Sequence, residues 1–222
     1  MPEKLRMRFS KTGKAIWLSH LDLMRTMQRA FLRADYPLKY SEGFNPHAQI
    51  SILLPLSVGF ASVCELMDFQ LREETELDRI PDHMNAALPE GIRVLEVYPS
   101  ENKVKHLKWL LVRGRLEYDS GNTPEIKNRL NDFYRLPQIL VMRKTKRGEG
   151  ETDIVPAIRE ISASAAEDGN TIMLRAIISA QEPTLNPDLL IAALRQNAPE
   201  LAPDFAAFQR DEVYFENGEV FR

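Results

Sequence analysis

The sequence predicts an α+β protein: two tandem ferredoxin-like βαββαβ domains, each an antiparallel sheet with its helices on one face. Three observations lead there. Residues 4–9 and 92–98 alternate strictly, with the period of two that marks a half-buried strand. Four stretches carry apolar residues at three- and four-residue spacing, the helical period. The two kinds of segment follow one another as β-α-β-β-α-β up to about residue 98, and the theme repeats after it.

In order, Lys4-Leu5-Arg6-Met7-Arg8-Phe9 is a strand with its cations expected on one face, and Thr12-Gly13 turns the chain. Ser19 opens a helix, with Asp22 three residues on completing a capping-box pattern. Leu21, Met24, Gln28 and Phe31 fall on one side, with Met27 and Ala30 beside them, and Arg25, Arg29 and Arg33 form a stripe on another. Tyr36 before Pro37 ends this helix near Asp35. The polar run Tyr40-Ser41-Glu42-Gly43-Phe44-Asn45-Pro46-His47 is a loop, with Gly43 expected at positive φ. Strands follow at 49–56 and 64–71, turned at Gly59. A helix then carries Leu77, Ile80, Met84 and Leu88, stopped by Pro89-Glu90-Gly91, before the strand at 92–98. Pro99-Ser100-Glu101-Asn102-Lys103 reads as the linker between domains at 1–100 and 106–222.

In the second domain a strand covers 109–118, and Thr123-Pro124 opens a helix with Ile126, Leu130 and Phe133 inward. A strand at 139–143 leads into an extra basic hairpin whose tip holds Lys144, Lys146, Arg147 and Gly148. Strands at 153–161 and 171–179 flank Asp168-Gly169-Asn170, with Pro156 implying an edge position or a bulge. Asn186-Pro187 opens the last helix, burying Leu190, Ala193 and Leu194. A strand at 208–215 and a turn at Asn217-Gly218 finish the chain.

The 222 residues are 44% hydrophobic and 27% charged, ordinary for a globular protein with a real core. No apolar run approaches the roughly 18–20 residues that a membrane helix requires. MPEKLRMRFSK lacks the apolar centre of a secretory signal, and Cys64 is the lone cysteine, so a reducing cytoplasm is the expected location. Net charge is −3, but up to residue 50 nine basic residues face four acidic ones. Glu65, Asp68, Glu73, Glu74, Glu76, Asp78 and Asp82 follow. Such segregation predicts a basic face able to recruit a polyanion.

Candidate contacts are Lys11, His20, Arg25, Arg29, Tyr40, Ser41, Phe44, Asn45 and His47, joined by Lys144, Lys146 and Arg147 on the hairpin. Two exposed aromatics on one loop gain nothing structurally and can stack on bases, and a loop histidine can stack or hydrogen-bond. The first helix and the polar loop are expected to form one contiguous site. No metal site is expected, because His20, His47, Asp22, Glu42 and Cys64 make no ligand set. His20 is expected to bond nearby backbone. Phosphate-loop, dinucleotide-binding and nucleophile-elbow motifs do not occur, so neither a cofactor nor catalytic residues are assigned.

Leu5 to Phe9, Ser10-Lys11-Thr12-Gly13, Leu18-Ser19-His20-Leu21-Asp22, the 40–46 run and Leu54-Pro55-Leu56 together resemble the radical SAM-linked protein family, a bacterial domain of unknown function fused to, or encoded beside, radical SAM enzymes. The resemblance implies a non-catalytic accessory or substrate-presenting protein with a radical SAM enzyme as partner. RNA is the implied substrate class; neither DNA nor membrane is expected. With one cysteine the chain cannot hold its own iron–sulfur cluster, which several thiolates ligate. Two other readings stand beside this one. One is a protein-interaction module without nucleic acid. The other is a metal-independent endoribonuclease, similar to CRISPR repeat-processing enzymes, using His20 or His47 with Tyr40 or Lys11.

Overall fold

The computed structural model describes residues 4–121, 123–145 and 148–222. The chain divides into two compact units, residues 1–106 with Arg222, and residues 107–221. Both are α+β, and every strand pair named below is antiparallel.

The first unit runs β1 (Leu5–Lys11), α1 (His20–Arg33), β2 (Ile50–Ile52), β3 (Ala61–Phe69), α2 (Ile80–Ala87) and β4 (Ile92–Pro99). Its strands pair in the order β4-β1-β3-β2. Alternation in β1 sends Leu5, Met7 and Phe9 into a core shared with Met67 and Phe69 of β3, Ile92 and Val94 of β4, and both helices. Ser19 caps α1 as its pattern predicts, its Oγ accepting from the Asp22 N–H at 3.2 Å. The buried stripe of α1 is Leu23, Met27, Ala30 and Phe31, with the Phe31 ring 4.9 Å from that of Phe69. Leu21 and Gln28 are exposed, so the inward face lies one step round from the expected one. Burying a side chain such as Phe31 contributes about 1.5–3 kcal/mol.

β2 is shorter than the expected 49–56 strand. Leu53 N–H still reaches the Leu66 carbonyl at 2.9 Å, but Pro55 has no N–H with which to extend the ladder. The expected linker is tied into this unit. Ser100 N–H donates to the Lys4 carbonyl, and the Arg6 guanidinium donates to Ser100 Oγ and the Asn102 carbonyl.

The second unit runs β5 (Leu107–Glu117), α3 (Thr123–Phe133), β6 (Leu140–Thr145), β7 (Gly148–Asp153), β8 (Ile158–Ala165), β9 (Thr171–Ser179), α4 (Asp188–Asn197) and β10 (Phe205–Phe215). Its main strands pair as β10-β5-β9-β8, while β6 and β7 form a separate ribbon. Pro156 sits in a 3-10 turn, Val155–Ala157, so β8 starts later than the expected residue 153. The Asp153 carboxylate caps that turn by accepting from the N–H groups of Ile139 and Val155.

Three carboxamides close strand edges. On α2, Asn85 donates to the Val94 carbonyl at 2.9 Å and accepts from its N–H at 2.8 Å. Asn131 on α3 does the same to Ala163 of β8, and Gln196 on α4 to Met142 of β6. Each amide replaces a neighbouring strand for one residue, satisfying groups that would otherwise invite another chain.

Candidate functional site

Two ends of the first unit carry the chemistry. At one end, Lys11 pairs with Ser62 and Ile92, and the chain turns into α1. The Lys11 amine donates to the carbonyls of Ile16 at 3.1 Å and Leu18 at 3.0 Å. Burial lowers its pKa, with the Glu65 carboxylate opposing that shift. Lys11 therefore holds the turn rather than facing solvent, a correction to its expected contact role. Gly91 makes the close approach possible, because a Cβ there would lie 2.4 Å from the Thr12 carbonyl oxygen. His20 is exposed, and no described residue bonds its imidazole; the expected backbone bond is absent. Trp17, Leu21 and Val58 leave more than half their surface open, and the Trp17 ring lies over Gly59.

At the other end, Tyr40 bridges to Ala48 and closes the polar loop. Ser41 N–H donates to the His47 carbonyl at 2.9 Å, and Ser41 Oγ accepts the His47 N–H at 3.1 Å. The same Oγ lies 2.9 Å from His47 Nδ1. Gly43 has φ +119°, as the turn requires. At the tip Phe44 is fully exposed, flanked by exposed Gly43, Asn45 and Pro46. Tyr40 is exposed beneath the Arg72 guanidinium, 5.9 Å from the ring centroid, a cation–π distance.

Beside this loop lies an open hollow of about 290 Å³ lined by Lys4, His47, Gln49, Ser51, Asp68 and Gln70, with Ala48, Ile50 and Phe69 completing it. The register explains the set. Ile50 faces Phe69 and Ser51 faces Asp68, so alternation puts Gln49, Ser51, Asp68 and Gln70 on one face of the β2–β3 pair. Asp68 is buried and accepts from Arg6 Nε at 2.6 Å, Arg6 Nη2 at 3.2 Å and Lys4 Nζ at 2.7 Å. Among the described residues, no partner holds the side chains of Gln49, Gln70 or Ser51.

The expected single site divides. Residues 62 to 69 of β3 span about 23 Å, and Ser62 marks the His20 end while Gln70, just past the strand and bonded to Lys39, marks the loop end. The loop therefore cannot fold back over the helix N-terminus, and His20 does not share a site with Tyr40, Ser41, Phe44, Asn45 and His47. The basic face is thinner than expected too. Arg6 and Lys11 are buried, Lys4 pairs with Asp68, Arg8 with Glu96, and Arg25 with Asp22 at 3.5 Å. Arg33 donates to the Ala87 carbonyl; Arg29 is exposed without a partner among the described residues. On the hairpin, Lys144 pairs through its backbone with Glu149, while its side chain and both Lys146 and Arg147 lie outside the described residues.

Sequence reasoning missed Gln49, Ser51, Gln70, Lys4 and Arg72. The polar–apolar alternation of Gln49-Ile50-Ser51-Ile52 was the available signal, and only pairing with β3 gives it a partner. Among the described residues no group of three or more His, Cys, Asp or Glu could hold a metal ion, and no helix is long and apolar enough to cross a membrane.

The chain is thus an α+β protein with antiparallel sheets whose first unit carries a pinned polar loop beside a polar hollow. It belongs to the bacterial family described as "Uncharacterized protein conserved in bacteria (DUF2344)", whose model matches residues 4–187. No curated protein matches the chain. Among solved structures it is similar to an unknown protein from Galdieria sulphuraria, at 10% identity and a TM-score of 0.26, over 95% of this chain and 99% of that one.

Proposed function

We propose that this protein binds single-stranded RNA through the 40–47 loop and presents it, without cleaving it, to a radical SAM enzyme. One observation carries the reading. Phe44 is fully exposed at the tip of a loop whose base is pinned by Ser41 and His47, with Tyr40 exposed on the same loop. An aromatic held out on a fixed base is a stacking platform, which contributes about 1–3 kcal/mol per base. Lys39 and Arg72 supply local positive charge. The strand order of the first unit, β4-β1-β3-β2 around two helices on one face, supports a ferredoxin-like reading of the scaffold. The order β10-β5-β9-β8 supports the same for the second.

The exposed Trp17, Leu21 and Val58 favour a second role for the opposite end, as the surface on which a protein partner docks. The nuclease reading keeps only His47 with Tyr40 among its expected pairings, since His20 is remote from Tyr40 and the Lys11 amine is committed to carbonyls.

The test is fluorescence anisotropy with short labelled RNA across a salt series. With about two phosphates neutralised by Lys39 and Arg72, the log–log salt slope should be near −1.4. Phe44→Ala should weaken binding about 5- to 150-fold with that slope preserved, and Arg72→Ser should flatten it. No binding at low salt, or cleavage abolished by His47→Ala, overturns the proposal.

A further inference from the structure

We infer that the hollow beside the loop is a phosphomonoester subsite that seats the terminal phosphate of the bound strand, an inference that rests on the RNA reading for the source of that phosphate. Asp68 is the one acidic group of the lining, and it accepts from Arg6 Nε at 2.6 Å, Arg6 Nη2 at 3.2 Å and Lys4 Nζ at 2.7 Å. One carboxylate shared by two cations leaves a net positive charge in the wall. Arg6 is fully buried, so salt screens that charge less than it would on the surface. An anion is the occupant such a wall favours.

The side chains around that charge can all donate. Gln49, Ser51 and Gln70 share one face of the β2–β3 pair, and Gln70 N–H donating to the Gln49 carbonyl at 3.2 Å makes the two amides cross-strand neighbours. Each amide nitrogen carries two N–H groups and the Ser51 hydroxyl one, while the Lys4 ammonium keeps two beyond its bond to Asp68. A phosphomonoester at neutral pH brings nearly two negative charges and three acceptor oxygens to such a set. A phosphodiester within the chain brings one charge and two free oxygens, and a carboxylate brings two oxygens in one plane, so each engages fewer of these donors. At about 290 Å³ the hollow has room for a phosphate with its sugar attached. His47 both pins the loop and lines the hollow, so a strand entering by its end continues over the loop, where a neighbouring base stacks on Tyr40 or Phe44.

The test uses the full chain and a short, internally labelled uridine oligomer in three forms: hydroxyl at both ends, phosphate at the 5′ end, or phosphate at the 3′ end. One phosphorylated form should bind about tenfold more tightly than the hydroxyl form, the size of one charge-assisted hydrogen bond, and its log–log salt slope should be steeper by about 0.7. Lys4→Gln and Gln70→Ala should each erase that preference; the bonds that close this sheet end are made by backbone groups, so both variants keep them. Binding of the hydroxyl form, set at Phe44, reports that each variant is folded. Inorganic phosphate, titrated at constant ionic strength and followed by phosphorus NMR, separates a free phosphate from a strand end. It should bind weakly, lose that binding in Lys4→Gln, and cancel the preference between oligomers. Equal affinity for all three oligomers, with binding still lost in Phe44→Ala, overturns the subsite while the RNA reading stands. Inorganic phosphate bound through Lys4 with no oligomer bound overturns the RNA reading and supports a subsite for free phosphate. No binding of either overturns both.

Discussion

The two units pair their strands in the same order and differ most in what joins the first helix to the next strand of the sheet. In the first unit residues 34–49 make that connection as the polar loop pinned by Ser41 and His47. In the second, residues 134–157 make it and hold the β6–β7 ribbon, secured to α4 where Gln196 pairs with Met142 and Asn197 donates to the Leu140 carbonyl. The parts they share concern stability. Asn85 and Asn131, each on a helix, close edge strands with the same pair of hydrogen bonds. The comparison teaches that the sheet and its edge closures are fixed by polar satisfaction, whereas the crossover is free to vary and, in the first unit, holds exposed aromatic and polar side chains.

The strongest way to break that comparison is to strike the ion network under the loop end, which has no counterpart among the described contacts of the second unit. Arg6→Met leaves the buried Asp68 with Lys4 and a long 3.4 Å bond from the Ser100 hydroxyl, and should cost about 3–5 kcal/mol in urea unfolding, the usual result of removing one partner from a buried pair. A loss below about 1 kcal/mol would mean that Lys4 suffices. Next, Asn85→Ala and Asn131→Ala each remove two hydrogen bonds from an edge strand. Both should cost about 1–3 kcal/mol, and the parallel between the units fails if only one does. Aggregation on dilution from urea should rise in both variants.

A third measurement concerns pH. Burial lowers the Lys11 pKa below its ordinary 10.5. In the window between the folded value and the unfolded one, the unfolded chain binds more protons, so this residue makes stability rise with pH there and contributes no slope below it. Comparing the unfolding free energy of the native protein and Lys11→Met as pH approaches 10.5 should reveal that rise, at most about 1.4 kcal/mol per pH unit, lost in the variant. A wild-type slope equal to the variant's would show the amine open to water. The smallest effect belongs to the loop tip: Phe44→Ala should change stability by less than about 0.5 kcal/mol. A larger loss would make Phe44 part of the packing rather than a free platform.

Much of this was legible along the chain. The alternation at 4–9 and 92–98, the Ser19 cap with Asp22, and Pro37, Pro89 and Gly91 are local signals with local causes, and they place β1, β4 and the ends of α1 and α2 within a few residues. Local signals also misled. The helical spacing of α1 admits two neighbouring apolar stripes, and only the sheet beneath chose Leu23 and Met27 over Leu21 and Gln28. Pro156 restricts one dihedral angle and removes one N–H, which fits an edge strand and a 3-10 turn alike; the Asp153 cap decided for the turn.

By itself, then, the sequence determined the element types, their order, the polar loop and its exposed aromatics, because each depends on residues a few positions apart. Tertiary structure decided which charges remain available. Arg6 and Asp68 belong to oppositely charged halves of the N-terminal sequence, yet the antiparallel register sets them side by side and buries both. That register removes Arg6 from the surface, seats Gln49 against Gln70, and puts His20 and His47 at opposite ends of one sheet. Register is a long-range property, fixed by which apolar face the core accepts, and no window of neighbouring residues contains it.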